Sequence, residues 1–227
     1  MKRTIHSIED SWKGIYRDQN KDASLIVSTD QYQLNIVFDG VSSVDHAVDG
    51  IHLLTKLVKE NHEAYYNGQT YDLRSLLMDM NGILLKSRWT DMQTTICALY
   101  LPTDFEEPAI ISHLGDSRIY VFNESIAKCI TEDHNVPQLP NMLTRCLGLK
   151  SLTDSDFYET KIQPQGDQLF LLCTDGLYSI FEDQLLSIAA KFNAHNANEI
   201  RGNIKEFILN KNSDDATYIL IYISADN

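Results

Sequence analysis

The chain has 227 residues, 43% of them hydrophobic, with 19 Lys+Arg against 32 Asp+Glu and a formal net charge of −13 at pH 7. That acidic balance disfavours nucleic-acid and anionic-membrane partners, which need a basic footprint, and no apolar run reaches membrane-spanning length or forms a signal-peptide core at residues 1–10. The length suits one domain over residues 1–227, and Cys97, Cys129, Cys146 and Cys173, scattered with no Cys-x-x-Cys pair, read as buried reduced thiols of a cytoplasmic protein, expected to be a monomer.

In chain order, the polar stretch Tyr16 to Asp22 leads into a hairpin of strands at 23–28 and 33–38, turned by Thr29-Asp30-Gln31-Tyr32. Val44, Ala47, Val48, Ile51, Leu54 and Val58 then fall at helical spacing, with Ser43 or Asp45 as cap, and a second amphipathic helix is expected from Tyr71 to Arg88. Strands return at 94–101, 108–114, 118–122 and 126–130, read as an antiparallel meander. A further pair follows at 156–162 and 168–174, across Gln163 to Asp167. Helices at 181–190 and 197–210 precede a closing strand at 217–223. The expected class is α+β: two packed, mainly antiparallel β-sheets flanked by helix pairs, a four-layer α-β-β-α sandwich.

Three apolar runs end on an acidic turn: Leu34 to Phe38 before Asp39-Gly40, Ile110 to Leu114 before Gly115-Asp116, and Leu169 to Thr174 before Asp175-Gly176. Asp214-Asp215 stands just before the last strand. Carboxylates brought together repel by several kcal/mol at low effective dielectric, roughly, so converging ends call for a cation. All-oxygen donors select magnesium, manganese or calcium.

Taken in order, these segments resemble the metal-dependent serine/threonine protein phosphatases of type 2C. Arg17-x-x-Asn20-x-Asp22, Val37-Phe38-Asp39-Gly40, Gln93-Thr94-Thr95, Gly115-Asp116-Ser117-Arg118, Thr131 to Asn135, Leu143 to Gly148, Cys173 to Leu177 and Asp214-Asp215-Ala216-Thr217 follow the family's motifs through nearly the whole chain. The resemblance implies hydrolysis of phosphoserine and phosphothreonine in a phosphorylated protein substrate. Two manganese or magnesium ions would activate a bridging water, with a third, weaker position available. It implies that Asp39 bridges the metals, the Gly40 carbonyl ligates one, Asp175 and Asp214 hold the other, and Asp116 with Asp175 makes the additional position. Arg17 would grip phosphate and Asp22 would orient metal-bound water.

Several positions depart from the pattern. Val41-Ser42-Ser43 replaces x-Gly-Gly, Gln93 replaces Gly, Asp215 replaces Asn, and only Val136 to Met142 separates Asn135 from Leu143. Lys21 stands where a carboxylate or amide is usual, placing a cation within expected reach of either the metals or the phosphate. Arg118 and Arg145 are expected to be structural, pairing with carboxylates or carbonyls, and His134 to be a turn residue. Ser42 and Ser117 lack a Ser-His-Asp context. Two functions stay open: the phosphatase, or a catalytically weak relative kept as a regulatory binding module.

Overall fold

Because successive residues of a strand face opposite ways, the central strands of each sheet feed one core toward the helices and another toward the opposite sheet. The computed structural model describes residues 2–89, 91–104, 106–123, 126–164, 167–209 and 211–225, without the side chains of residues 123, 140, 141, 180, 181 and 225. Its elements run β1 (Arg3–Trp12), β2 (Asp22–Ser28), β3 (Tyr32–Gly40), α1 (Ala47–Asn61), α2 (Leu73–Lys86), β4 (Thr94–Pro102), β5 (Ala109–Leu114), β6 (Arg118–Asn123), β7 (Ile126–Cys129), β8 (Asn135–Val136), β9 (Leu139–Leu143), β10 (Thr160–Ile162), β11 (Gln168–Cys173), α3 (Asp175–Ala189), α4 (Ala197–Ile208) and β12 (Ala216–Ala225). One five-stranded sheet has the order β1-β12-β11-β6-β7 and the other β10-β5-β4-β3-β2, all antiparallel, with β8-β9 a small separate hairpin.

In β3, Leu34, Ile36 and Phe38 pack with Leu54 and Val58 of α1 and Leu76, Leu77 and Met80 of α2. Leu169, Leu171, Leu220 and Tyr218 pack with Leu185 of α3 and Ile200 and Ile204 of α4. Between the sheets lies a seam of the alternate residues, Val37, Cys97, Leu99, Ile119, Phe170, Leu172, Ile219 and Ile221, all buried. Each such side chain contributes about 2 kcal/mol relative to exposure, and the expected four layers stand.

Four local expectations fail. A strand precedes the first hairpin: β1 pairs along its full length with β12, from Arg3 opposite Ala225 to Trp12 opposite Ala216. The meander breaks after β5, which pairs with β4 and β10, whereas β6 pairs with β7 and β11. Gly115, at φ 112°, turns the chain from one sheet into the other, and a Cβ there would lie 2.5 Å from the Cβ of Thr95. The strands at 156–162 and 168–174 do not pair: a short 3-10 turn takes Asp154–Asp156, β10 joins β5, and β11 joins β12 and β6. The third helix begins at Asp175 rather than Phe181, so β11 runs into α3 with Thr174 alone between them. Gln165 and Gly166 of the expected turn and Asn210 of the last helix lie outside the described residues.

Candidate active site

The apolar seam gives out at one end into polar residues of the same strand faces. Alternation puts Asp39 on the face of Val37, Thr95 on that of Cys97, Ser117 on that of Ile119 and Thr217 on that of Ile219. Thr95, Ser117, Thr174 and Thr217 are buried, and each hydroxyl has a partner, that of Thr217 being Ser11 Oγ at 2.6 Å. The hydroxyls of Thr95 and Ser117 are 2.7 Å apart, and the Thr174 hydroxyl donates to Asp22 Oδ2 at 2.8 Å while accepting the Thr217 N–H at 3.0 Å. Thr174 therefore spends its side chain on Asp22 instead of capping α3.

On this floor the strand ends deliver their carboxylates. Asp22 faces Asp39 across the β2–β3 pair, and Thr94 Oγ1 donates to the Asp39 carbonyl at 2.9 Å. Asp116 is buried on the crossover turn. Tyr178 donates to its carbonyl at 2.9 Å, Asn135 Nδ2 reaches its Oδ2 at 3.4 Å, and His134 Nδ1 accepts the Gly115 N–H at 3.1 Å. Asp175 opens α3, where the helix dipole favours an anion. Gly176 is required next to it, because a Cβ there would lie 1.9 Å from the carbonyl oxygen of Asp215. A cleft of about 280 Å³ is lined by Arg17, Asp39, Asp116, Asp175 and Asp214, together with Val41, Ser42, Ser43, Thr95 and Leu143.

Electrostatics sets this cluster apart. Burial first, and neighbouring carboxylates next, hold Asp39 well above the usual carboxylate range, and burial with Asp175 pushes Asp116 up to about 6. Burial likewise raises Asp22 and Asp175, the latter hydrogen-bonded to Asp39. Among the described residues the one cation lining the cleft, Arg17, is committed to Asp214, with Nε to Oδ1 at 2.8 Å and Nη2 to Oδ2 at 2.5 Å. Among the described residues no three carboxylate, imidazole or thiol groups form a closed ligating cluster. The donor chemistry nonetheless fits hard divalent cations: it is all oxygen, desolvated and short of counter-charge.

Of the residues expected at the site, Arg17, Asp39, Asp116, Asp175 and Asp214 meet in one cleft; Asp22 lies against it through Thr174, and Gly40 ends the strand carrying Asp39. Lys21 is not among the residues that line the cleft. Its carbonyl takes the Gly40 N–H, which aims its side chain over the next loop, where Nζ donates to the carbonyls of Ser42 (3.1 Å) and Val44 (2.9 Å). Asp215 is structural, accepting the N–H groups of Gly14 and Lys21 at 2.8 Å each. Arg118 bonds Asp133 and Glu182 and lies over the Tyr178 ring at 3.8 Å, and Arg145 pairs with Asp156. His134 holds a turn, as expected. Thr174, Tyr178, Ser42 and Ser43 were not among the expected site residues; only their adjacency to Asp175 and to Asp39-Gly40 marks them in the sequence.

The family model for protein phosphatase 2C matches residues 16–208. A relative from Mycoplasma genitalium, named only provisionally as a protein phosphatase, is 33% identical over 128 residues, covering 48% of this chain and 48% of the relative, so the chain matches about half the length of that protein. A bacterial serine phosphatase structure superposes with a TM-score of 0.78 over 99% of this chain and 100% of that one, at 22% identity. The PPM Ser-Thr phosphatase MsPP from Mycobacterium smegmatis, solved with cacodylate, gives 0.77 over 95% and 97% at 18% identity. RsbX, solved with magnesium, gives 0.73 over 97% and 96% at 18% identity. The fold is theirs, and with the family model spanning most of its residues, this chain belongs to the protein phosphatase 2C family.

Proposed function

We propose that the chain hydrolyses phosphoserine and phosphothreonine in proteins, using manganese or magnesium. The observation that carries this is the convergence of Asp39, Asp116, Asp175 and Asp214, from separate strand ends, in one cleft with a single cation among its lining residues. Asp39, the Gly40 carbonyl, Asp175 and Asp214 would hold two ions, and Asp116 with Asp175 a third. Ions held there supply water activation and neutralise charge on the phosphoryl group.

The chain's own residues do the rest. Asp22, which faces Asp39 across the β2–β3 pair, is placed to orient the attacking water and take its proton. Thr174 orients Asp22 through its hydroxyl. Arg17 binds phosphate through the guanidinium nitrogen that Asp214 leaves over. The magnesium in the RsbX structure supports the choice of metal by likeness of fold. We read the enzyme as a cytoplasmic monomer; among the described residues no helix is long and apolar enough to cross a membrane.

Turnover of para-nitrophenyl phosphate and of a phosphothreonine peptide tests the reading. It should require added manganese or magnesium and be lost in Asp39→Ala and Asp175→Ala, while Arg17→Ala mainly raises KM. Activity surviving Asp175→Ala refutes it. The bidentate Arg17–Asp214 pair favours the second reading, a regulatory binding module. Phosphopeptide binding without turnover under either metal selects that one.

A further inference from the structure

One wall of the cleft is the loop Val41-Ser42-Ser43, and the protein holds it by its backbone. Lys21 is itself pinned, its N–H on Asp215 Oδ2 (2.8 Å) and its carbonyl on the Gly40 N–H (2.9 Å), and its ammonium takes the carbonyls of Ser42 and Val44. Val44 N–H closes the turn on the Val41 carbonyl at 3.2 Å, and Val41 N–H is bonded to Gln93 O at 3.1 Å. In a trans peptide the C=O and N–H point in opposite directions. Tying the Ser42 carbonyl to Lys21 therefore turns the Ser43 N–H to the other side of the loop.

Among the described residues, neither the amides nor the hydroxyls of Ser42 and Ser43 have a hydrogen-bond partner, and both side chains are exposed. The other lining donors are largely spent, Arg17 on Asp214 and Thr95 on Ser117. Successive amides on a tight turn make an anion-binding concavity, and two hydroxyls beside them add donors suited to tetrahedral oxygens.

We infer that Ser42 and Ser43 bind the oxygens of a phosphoryl group in this cleft, and that Lys21 is the positioning residue that presents them. The chain thereby places hydroxyl donors where the family's pattern has glycines. The inference rests on the proposed function for its substrate, but the same oxygens belong to inorganic phosphate, the product.

The test measures para-nitrophenyl phosphate hydrolysis and its inhibition by inorganic phosphate, with magnesium, in wild type, Ser42→Ala/Ser43→Ala, Lys21→Met and Lys21→Arg. KM and the phosphate inhibition constant should rise together by about tenfold in the double alanine variant and in Lys21→Met, with Lys21→Arg recovering most of the loss. Both constants within about twofold of wild type in the double variant overturn the inference. A Lys21→Met defect that Lys21→Arg does not repair overturns the positioning role. Should Lys21→Met fail to fold, the double variant, changed only at exposed side chains, decides. Should wild type show no turnover, the proposed function fails by itself, and titration of inorganic phosphate into wild type and double variant decides the binding: weaker in the variant supports it, equal overturns it.

Discussion

Replacing Gly176 with alanine tests how tightly β11, α3 and the Asp214-Asp215 segment are locked around the site. The added Cβ would lie 1.9 Å from the Asp215 carbonyl oxygen, 2.9 Å from its carbon and 3.3 Å from the Asp214 Cβ. The first two are backbone atoms, which cannot rotate aside, so the elements must part by roughly 1 Å, and overpacking of that kind costs about 3 kcal/mol. For a chain of this size that is a fall in Tm of about 9 °C. Asp175 and Asp214 move with the two backbones, and misplacement by about 1 Å costs on the order of a hundredfold in turnover. Gly202 supplies the control: it lies within α4 with nothing within 4 Å of its Cβ position. Gly202→Ala should therefore raise Tm by about 2 °C through helix propensity alone. Differential scanning calorimetry with steady-state kinetics reads both variants. A Gly176→Ala protein that melts and turns over like Gly202→Ala refutes the close approach and the coupling built on it.

Asp39→Asn removes a buried like charge, so in chelator it should melt above wild type; it should also lose the metal-induced rise, about 2.7 kcal/mol at a hundredfold excess over Kd, and coincident melting curves of the two proteins refute this. His134 is held neutral, its pKa pushed down to about 4 by burial and by His113 stacked on it, so the unfolded chain takes that proton first and stability falls as pH drops from about 6.5 toward 4. Between pH 7 and 5 wild type should lose about 2 kcal/mol relative to His134→Gln by this route, measured by urea unfolding; a difference independent of pH refutes it. Arg118→Met leaves Asp133 and Glu182 without their shared cation and should cost about 2 kcal/mol after allowance for partial exposure. Adding Asp133→Asn and Glu182→Gln should recover most of that, and a triple variant no better than the single one counts against the ion pairs.

The carboxylates were legible because strand alternation is written locally: Asp39 falls on the inter-sheet face simply by following Val37 and Asn35 at period two. What alternation does not encode is which sheet a strand joins. The same apolar pattern in β5, β6, β10 and β11 is satisfied by any antiparallel neighbour, and the switch rests on three residues after Leu114. β1 was illegible for another reason. It is an edge strand with only Arg3 and Ile8 buried, so Arg-Thr-Ile-His-Ser-Ile-Glu-Asp-Ser-Trp carries no apolar stripe. Asp175-Gly176 read as a turn because Asp and Gly are turn residues; the glycine instead permits contact with a segment some forty residues away in sequence, roughly. The destination of the Lys21 ammonium depends on carbonyls left unpaired by a loop, which no local pattern announces.

The position of β12 bears on how the molecule comes into being. It is flanked by β1 and β11, so the earliest strand to be synthesised must wait for the latest: Trp12 has no partner until Ala216 exists. Pairings so distant in sequence form slowly. In the interval β1 has nothing to zip onto and β11 keeps an open edge, the kind of surface chaperones shield. Asp214 arrives immediately ahead of that strand, along with the Asp215 oxygens that pin Gly14 and Lys21. A chain cut short before residue 214 thus lacks both the strand that β1 and β11 share and one of the carboxylates lining the cleft.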